Sequence, residues 1–559
     1  MKKYISILLL TLFVLTACER QLLRQDELLQ KRDAVESATP DLLLSSVIQQ
    51  SAFAYQYEGG AGNRTLSATL QYMQGNRSSD DNIHKSFAKP KSDLYGITGP
   101  IKLVQASINE VHSLGLKSYE GIFLIFKSLL WSTATDLYGD IYYTEGLRGQ
   151  EGILFPKFDD QKDIYPALIQ NLKDATQLFS TGTDAIDKTY DILYAGDKTK
   201  WIKFANSLRL RLLLRASKNL PGAAAEITAV AALPLMSGNA DNASIPYLAG
   251  DRTYNWPLSY DAYSDNFMIY RPSKTLVDTL KALNDDRLKV WVAPIEKPWT
   301  NIPSLNGVIV NTTDPNGFTY SSTWEYIDRN NSNIRKASPF IVDSVTLYAG
   351  YTAGMYENVL AANGSWDFPT TIFNYKISKF SKLLNEKSHP LLKACMLQSD
   401  EVQFLLAEAA VKGYIPAAGA ETYYKNGVTL ATSRWGVTIP GTYFNNNSAK
   451  FPSTGTDNQK LAKIALQKWL GHFLMGVEAY SDHRRTRLPA IEFNDELING
   501  LHPFPLRFRY PETEMANNAA NYQIAIGKLD KGDTEFSKIW LIQKFLKFLI
   551  LVKYPVISG

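Results

Sequence analysis

Side chains able to do chemistry are present throughout this 559-residue chain, but no spacing gathers them into a catalytic set. The six histidines, His84, His112, His389, His472, His483 and His502, are scattered without metal-ligand spacing, so no metal is implied. His472 lies beside an apolar helical stripe, where packing accounts for it better than ligation. Two cysteines, Cys18 and Cys395, are too few for a disulfide framework or a Cys-rich zinc site. Cys395, inside the apolar run Leu391–Leu397, reads as an inert buried thiol. The patterns His-Glu-x-x-His, Gly-x-Ser-x-Gly and Gly-x-x-x-x-Gly-Lys-Ser/Thr do not occur. Gly59-Gly60-Ala61-Gly62 lacks the lysine of a phosphate loop and reads as a flexible turn. The acidic neighbours Asp80-Asp81, Asp159-Asp160 and Asp285-Asp286 are better explained as solvated or helix-capping groups. A glycosidase needs two carboxylates about 5–10 Å apart across a cleft, which adjacency in sequence does not supply. The sequence therefore assigns no catalytic residue and no cofactor.

What remains is an aromatic surplus of Tyr 31, Phe 25 and Trp 10, concentrated between about Pro221 and Leu397. Flat rings bind the apolar faces of sugars and peptide side chains, with polar neighbours fixing orientation. Trp256, Tyr260, Tyr263, Trp324, Tyr326 and Trp366 stand in Gly/Asn/Pro/Ser-containing contexts without helical periodicity, and they are the candidate ligand contacts. A second aromatic segment, around Tyr55, Tyr57 and Tyr72, is the alternative place for a site. Charge narrows the partners. A net +4 from 59 basic and 55 acidic residues argues against a nucleic-acid binder.

These contacts need a scaffold. Apolar residues at 45% and charged residues at 20% are globular values, so wholesale disorder is excluded. Ile164, Leu168, Leu172, Ala175 and Phe179 recur at helical spacing, with Asp163 as a cap ahead of them. Gly121–Leu130 is apolar on nearly every side and predicts a helix buried all round. Trp201, Phe204, Ala205, Leu208 and Leu212 form a stripe with Arg209 and Arg215 off it. Val402, Leu405, Leu406 and Ala409 share a face, and Leu466, Trp469, Leu470, Phe473, Val477 and Tyr480 predict about four continuous turns. The fold class is therefore mostly α, with helix pairs at about 38–220 and 398–490. An irregular, loop-rich lobe with short strands spans about 221–397, and a C-terminal segment covers 491–559.

The N-terminus places the chain. Met1-Lys2-Lys3 and the apolar run from Tyr4 to about Leu15 read as a secretory signal, too short to span a bilayer. The end of that run, Leu15-Thr16-Ala17-Cys18, resembles the bacterial lipoprotein signal. Residues 1–17 would be removed, Cys18 acylated, and 18–37 left as a tether ahead of one domain from 38 to 559. Acyl chains bury at about 0.8 kcal/mol per methylene, and stable anchoring takes more than one chain.

Several segments in order resemble the SusD/RagB-type outer-membrane nutrient-binding lipoproteins. They are Thr135-Asp136-Leu137-Tyr138-Gly139-Asp140-Ile141-Tyr142-Tyr143-Thr144-Glu145, then Pro156–Tyr165, Trp201–Arg211 and Asn284-Asp285-Asp286-Arg287-Leu288, with Asp286 in place of the usual proline. Glu401–Gly413, Gln467–Pro489 and Arg507–Tyr522 follow. The resemblance implies a tetratricopeptide-like helix-pair scaffold with a loop-rich ligand-binding lobe, and no enzyme activity. It also implies an outward-facing place on the outer membrane, over a SusC-like TonB-dependent transporter that receives a captured oligosaccharide or peptide. In that setting the Asp136–Tyr143 motif is structural, its glycine turn fixing loop geometry. The competing class is a surface-anchored hydrolase with an unidentified carboxylate pair. Family chains commonly finish soon after a Trp-Trp-Asp; here Ile539-Trp540 runs into an apolar tail to Gly559, a departure from the pattern.

Overall fold

The computed structural model describes residues 39–59, 64–75, 84–88, 96–250, 255–257, 270–326, 346–351, 377–491 and 504–545. The first half is a stack of helices: α1 (Pro40–Gly59), α2 (Arg64–Thr69), α3 (Thr98–Ser113), α4 (Lys117–Tyr138), α5 (Gln161–Thr181), α6 (Lys198–Ala216) and α7 (Ala223–Ala231). From α3 to α7 each helix packs on the next, while α1 lies across α3 and α4. This is the helix-pair scaffold that the periodicity predicts. Helix α4 is buried nearly all round, with Ile122, Phe123, Phe126, Leu129 and Leu130 fully inside. Helix α5 buries the predicted stripe of Ile164, Leu168, Leu172, Ala175 and Phe179. Its start differs from expectation: the helix begins at Gln161, and Asp163 sits inside the first turn. A carboxylate there still suits the positive end of the helix dipole.

The second helical group comprises α10 (Ser399–Val411), α11 (Ala420–Ser433), α12 (Asp457–Gly471) and α13 (Gly476–Thr486), followed by α14 (Glu512–Asn517) and α15 (Ala519–Gly527). Helix α10 packs against α11, α12 and α6, which joins the two groups into one hydrophobic core. The stripe from Leu466 to Tyr480 is not one helix. It breaks between α12 and α13, where Leu474 takes φ 67° and the Met475 N–H bonds to the His472 carbonyl. The apolar residues keep their core contacts across the break because both helices face the same interior.

Between the groups lie α8 (Lys274–Leu283), α9 (Arg287–Trp291) and short strands: β2 (Ala243–Pro246), β3 (Tyr270–Pro272), β4 (Trp299–Thr300), β5 (Ile309–Thr313), β6 (Thr319–Thr323), β7 (Glu325–Tyr326) and β8 (Lys393–Leu397), with β1 (Met73–Gly75) from the first half. Among the described residues the strands pair two by two: β1 with β3, β2 with β8 and β5 with β6 antiparallel, and β4 with β7 parallel. The aromatic texture of this lobe conceals α8, which is a regular helix. The Ser273 side chain caps it by accepting from the Leu276 N–H, and Leu276, Val277, Leu280 and Leu283 are buried on one face. Among the described residues, no helix is long and apolar enough to cross a membrane.

Candidate ligand-binding surface

The loop-rich lobe presents one built corner, made by the β5–β6 hairpin and the β4–β7 pair. The hairpin register runs from Ile309 opposite Thr323 to Thr313 opposite Thr319. Its turn is set by Asp314, whose carboxylate accepts the N–H groups of Asn316 (2.8 Å) and Phe318 (3.0 Å), and by Gly317 at φ 86°. The Tyr320 phenol ties the hairpin down by donating to Asp314 Oδ2 at 3.0 Å and accepting the Lys382 N–H at 2.9 Å. Lys382 Nζ also stands 5.1 Å from the Tyr320 ring centre. At the other end Trp324 exchanges backbone bonds with Val308 (2.9 Å) and Gly307 (2.8 Å), and Asn306 Oδ1 accepts the Tyr326 N–H at 3.0 Å. The backbone fixed by these bonds carries Val308, Ile309 and Tyr326, and Ile302 precedes it in the chain; the four are 40%, 62%, 40% and 44% exposed. Trp299 and Trp324 lie beneath it, nearly covered. An exposed ring and exposed aliphatic side chains on this hairpin and its flanks, with the polar Asn311 and Ser321 also exposed on the hairpin, can offer a ligand apolar faces and hydrogen-bonding edges.

The predicted contacts separate on this geometry. Trp324 and Tyr326 come together in the corner, Tyr326 as its exposed ring. Trp256 does not belong to any surface. It is buried, its Nε1 donates to the Leu384 carbonyl at 3.1 Å, and its ring meets Tyr247 edge-on at 5.2 Å. The reason is remote: the 384–387 segment supplies partners for both its indole and its backbone N–H, so the ring packs as core. Tyr260, Tyr263, Trp366 and Cys18 lie outside the described residues. In the alternative aromatic segment Tyr55 and Tyr72 are interior: Tyr55 donates to Glu478 at 2.5 Å, and Tyr72 stacks on Trp469 at 4.8 Å, while the Tyr57 side chain lies outside what the structure describes. Sequence reasoning overlooked Ile302, Val308 and Ile309, because it searched for rings. The usable signal was the Asp314-Pro315-Asn316-Gly317 turn between the β-branched run Val308-Ile309-Val310-Asn311-Thr312-Thr313 and the strand-forming Phe318-Thr319-Tyr320.

The motif segments converge elsewhere, on a buried ion network inside the scaffold. Arg211 grips Glu401 with two bonds (2.7 and 2.6 Å), and Arg215 pairs with both Asp136 and Glu478. Tyr165 donates to Asp136, and Arg484 donates to the Asp136 and Leu506 carbonyls at 2.6 and 2.7 Å. Arg209 and Arg215, expected off the apolar stripe, are therefore inside: Arg209 reaches Glu226 at 2.7 Å and Arg215 is enclosed. Burial pushes carboxylates up in pKa, but the guanidinium of Arg211 and the His472 ring overcome it at Glu401 and hold that group well below the usual range. At Asp136 burial wins over Arg215 and Tyr165, and the pKa is raised. Gly139 follows at φ 89°, a turn closed by the Thr135 hydroxyl donating to the Gly139 carbonyl at 2.6 Å. This agrees with a structural role for the motif.

No acidic neighbours form a cleft pair among the described residues. Asp159 accepts from Thr144 at 2.7 and 2.8 Å, and Asp160 pairs with Lys162 at 2.7 Å. Asp285 is buried against Arg287 at 2.7 Å, and Asp286 meets Lys289 at 2.7 Å. Asp80 and Asp81 are outside the described residues. Cys395 is partly covered within β8, and burial raises its thiol pKa.

Comparison with known proteins is consistent with this architecture. The model of the SusD-like family described as starch-binding and associating with the outer membrane matches residues 32–511. A SusD homologue from Bacteroides fragilis superposes with a TM-score of 0.68 at 21% identity, over 90% of this chain and 99% of that one. A chitin-binding protein gives a TM-score of 0.68 at 22% identity, over 90% and 100% of the two chains. A chitin-binding SusD homologue from Flavobacterium johnsoniae gives 0.64 at 19% identity, over 89% and 99%. No curated protein matches the sequence. With the helix-pair scaffold, its motif-bearing ion network and a family match over most of its length, this chain belongs to the SusD-like family.

Proposed function

We propose that this chain is a non-catalytic nutrient-binding lipoprotein of the outer membrane. Acylated at Cys18 and facing outward, it captures a glycan or peptide and delivers it to a SusC-like TonB-dependent transporter. The observation that carries the binding role is the Tyr326 corner: an exposed ring and three exposed aliphatic side chains, on and beside a hairpin anchored at both ends. Family membership supports the outer-membrane setting, and the two chitin-binding relatives favour a glycan over a peptide. Trp366, Tyr260 and Tyr263 remain candidate contacts on sequence grounds, beside Trp324 and Tyr326. The lipoprotein-type signal supports the anchor; Glu19 is followed at once by Arg20, so outward orientation rests on the family pattern.

The decisive measurement titrates the purified protein with chitooligosaccharides, maltooligosaccharides and short peptides while monitoring product release. Saturable binding without turnover, weakened in Tyr326→Ala, is the expected result. Turnover that disappears when a carboxylate pair is replaced would overturn the binding role and establish a hydrolase. Fractionating cells that carry Cys18→Ala tests the anchor. A variant still membrane-bound in the absence of its transporter would refute lipidation as the means of attachment.

A further inference from the structure

The β5–β6 hairpin has two outer edges, and the fold treats them differently. The edge of β6 is covered: the Thr323 N–H donates to the Glu296 carbonyl at 2.8 Å, and the Thr319 carbonyl accepts from Lys382 Nζ at 2.7 Å. The edge of β5 is not. Its register against β6 runs without a shift from Ile309 opposite Thr323 to Thr313 opposite Thr319. At one end the Trp324 N–H bonds to the Val308 carbonyl, and at the other the Asp314 N–H bonds to the Phe318 carbonyl, both at 2.9 Å. Backbone groups alternate sides along an antiparallel strand, so Val308, Val310, Thr312 and Asp314 turn theirs towards β6. Ile309, Asn311 and Thr313 turn their N–H and C=O groups the other way, and among the described residues nothing bonds to them. The side chains of these three residues stand exposed on one face of the strand. Sheet edges are ordinarily guarded by lysine, proline, a bulge or a covering loop. Among the described residues none of these guards β5. In Val308-Ile309-Val310-Asn311-Thr312-Thr313 every residue but Asn311 is β-branched, none is charged and none is proline. An open edge of strand-forming residues is a template for one more strand. Its free groups repeat every second residue, about 6.8 Å apart, which is the repeat of an extended polypeptide backbone. The five-residue edge is short, about 17 Å. A stable dimer buries about 1,200 Å² or more, so an edge of this length suits a peptide better than a second copy of the chain.

We infer that the outer edge of β5 is a strand-addition site for an extended, uncharged peptide. The peptide backbone pairs with the N–H and C=O groups of Ile309, Asn311 and Thr313, and alternate peptide side chains lie beside theirs on the exposed face. Branched or aromatic side chains suit the place beside Ile309, and hydroxyl or amide side chains the places beside Asn311 and Thr313. This surface differs in kind from the exposed ring of Tyr326, because it reads backbone and requires no aromatic contact. It goes beyond glycan capture at the corner and does not depend on it.

The test titrates the intact protein with two forms of the peptide acetyl-Val-Thr-Val-Thr-Val-amide. One is N-methylated at its second and fourth residues, which leaves a single edge able to pair and prevents self-assembly. The other is N-methylated at every residue, which leaves none. The first should bind saturably at millimolar concentration and slow amide hydrogen exchange in the segment from Ile309 to Thr313; the second should do neither. Asn311→Pro removes the central outward N–H at a position where an edge strand tolerates proline. It should weaken binding of the first peptide about tenfold, the size of one lost hydrogen bond. An unchanged melting temperature shows that the variant folds, and if it does not fold, the comparison of the two peptides on the parent protein still decides. No binding at millimolar concentration, equal binding of both peptides, protection confined to another segment, or unchanged affinity in a folded Asn311→Pro would each overturn the inference. Sedimentation of the peptide-free protein supplies the last arm: a dimer that Asn311→Pro dissociates would make a second copy the occupant and overturn the peptide assignment.

Discussion

The scaffold encloses a set of charged side chains, whereas the loop-rich lobe leaves a set of apolar ones outside. Asp136, Arg211, Arg215, Glu401 and Glu478 are buried and joined across α4, α6, α10 and α13. Ile302, Val308, Ile309 and Tyr326 stand exposed on and beside a hairpin that Asp314, Tyr320 and Asn306 tie down. A buried ion network contributes little net stability over a well-packed apolar core, yet removing one member leaves an uncompensated charge at high cost. It therefore makes helix packing intolerant of change. An exposed apolar corner has the opposite character: its residues contribute little to folding and remain available to a ligand. The difference teaches where motifs and binding reside. The recognisable segments carry the network, and the corner has no motif.

That contrast is testable at four strengths. Breaking the network at its centre should have the largest effect. Arg215→Met strands Glu478 and Asp136, and chemical denaturation should show a loss of about 3–5 kcal/mol. A loss below about 1 kcal/mol would mean that the network does not hold the helices together. Next comes acidification. His483 is buried against Phe504 at 4.8 Å, and burial, with Arg487 nearby, lowers its pKa to about 3. The unfolded chain takes up a proton near the ordinary value of 6.5 while the folded chain does not, so this contribution is intact above that pH and lost as pH falls towards 3. Stability should drop by about 1.4 kcal/mol per pH unit across that window, and His483→Gln should flatten the slope. Unfolding curves collected between pH 7 and pH 4 decide this.

A smaller effect is expected at the motif turn. Gly139→Ala introduces a Cβ 2.8 Å from the Ile539 side chain at φ 89°, and a melting experiment should register about 1–3 kcal/mol of destabilisation. The smallest change in stability belongs to the corner. Tyr326→Ala should stay within about 0.5 kcal/mol of the parent protein. Its ligand affinity should nevertheless fall about fivefold, the size of one lost stacking contact. Parent-like affinity for every glycan and peptide tested would detach the corner from binding and direct attention to Trp366 and its neighbours.

Much of the scaffold was legible because helical periodicity is local. The α5 stripe and the all-round apolarity of α4 are both written within one helix. Where a boundary depended on one residue's conformation, the pattern failed. The apolar spacing from Leu466 to Tyr480 runs through a helix break at Leu474, since periodicity reports which side faces the core and not whether the backbone is continuous. Helix α8 was hidden for a related reason: a ten-residue helix is too short to stand out against flanks carrying Phe267, Tyr270, Pro272 and Trp291. Arg215 looked like a surface residue because its partners, Asp136 and Glu478, are 79 and 263 residues away.

The sequence by itself determined the helical class, the family motifs in their order and the resemblance of the N-terminus to a lipoprotein signal, because each is a short-range pattern of residue types. Only the tertiary structure decided which aromatics are available. Trp256 and Tyr326 stand in similar loop contexts, but the segment around Leu384 covers one and leaves the other open. The same holds for charge: Arg215 is enclosed while Lys218, three residues later, is exposed. Burial is a property of what packs against a residue from elsewhere in the chain, and no local pattern carries that information.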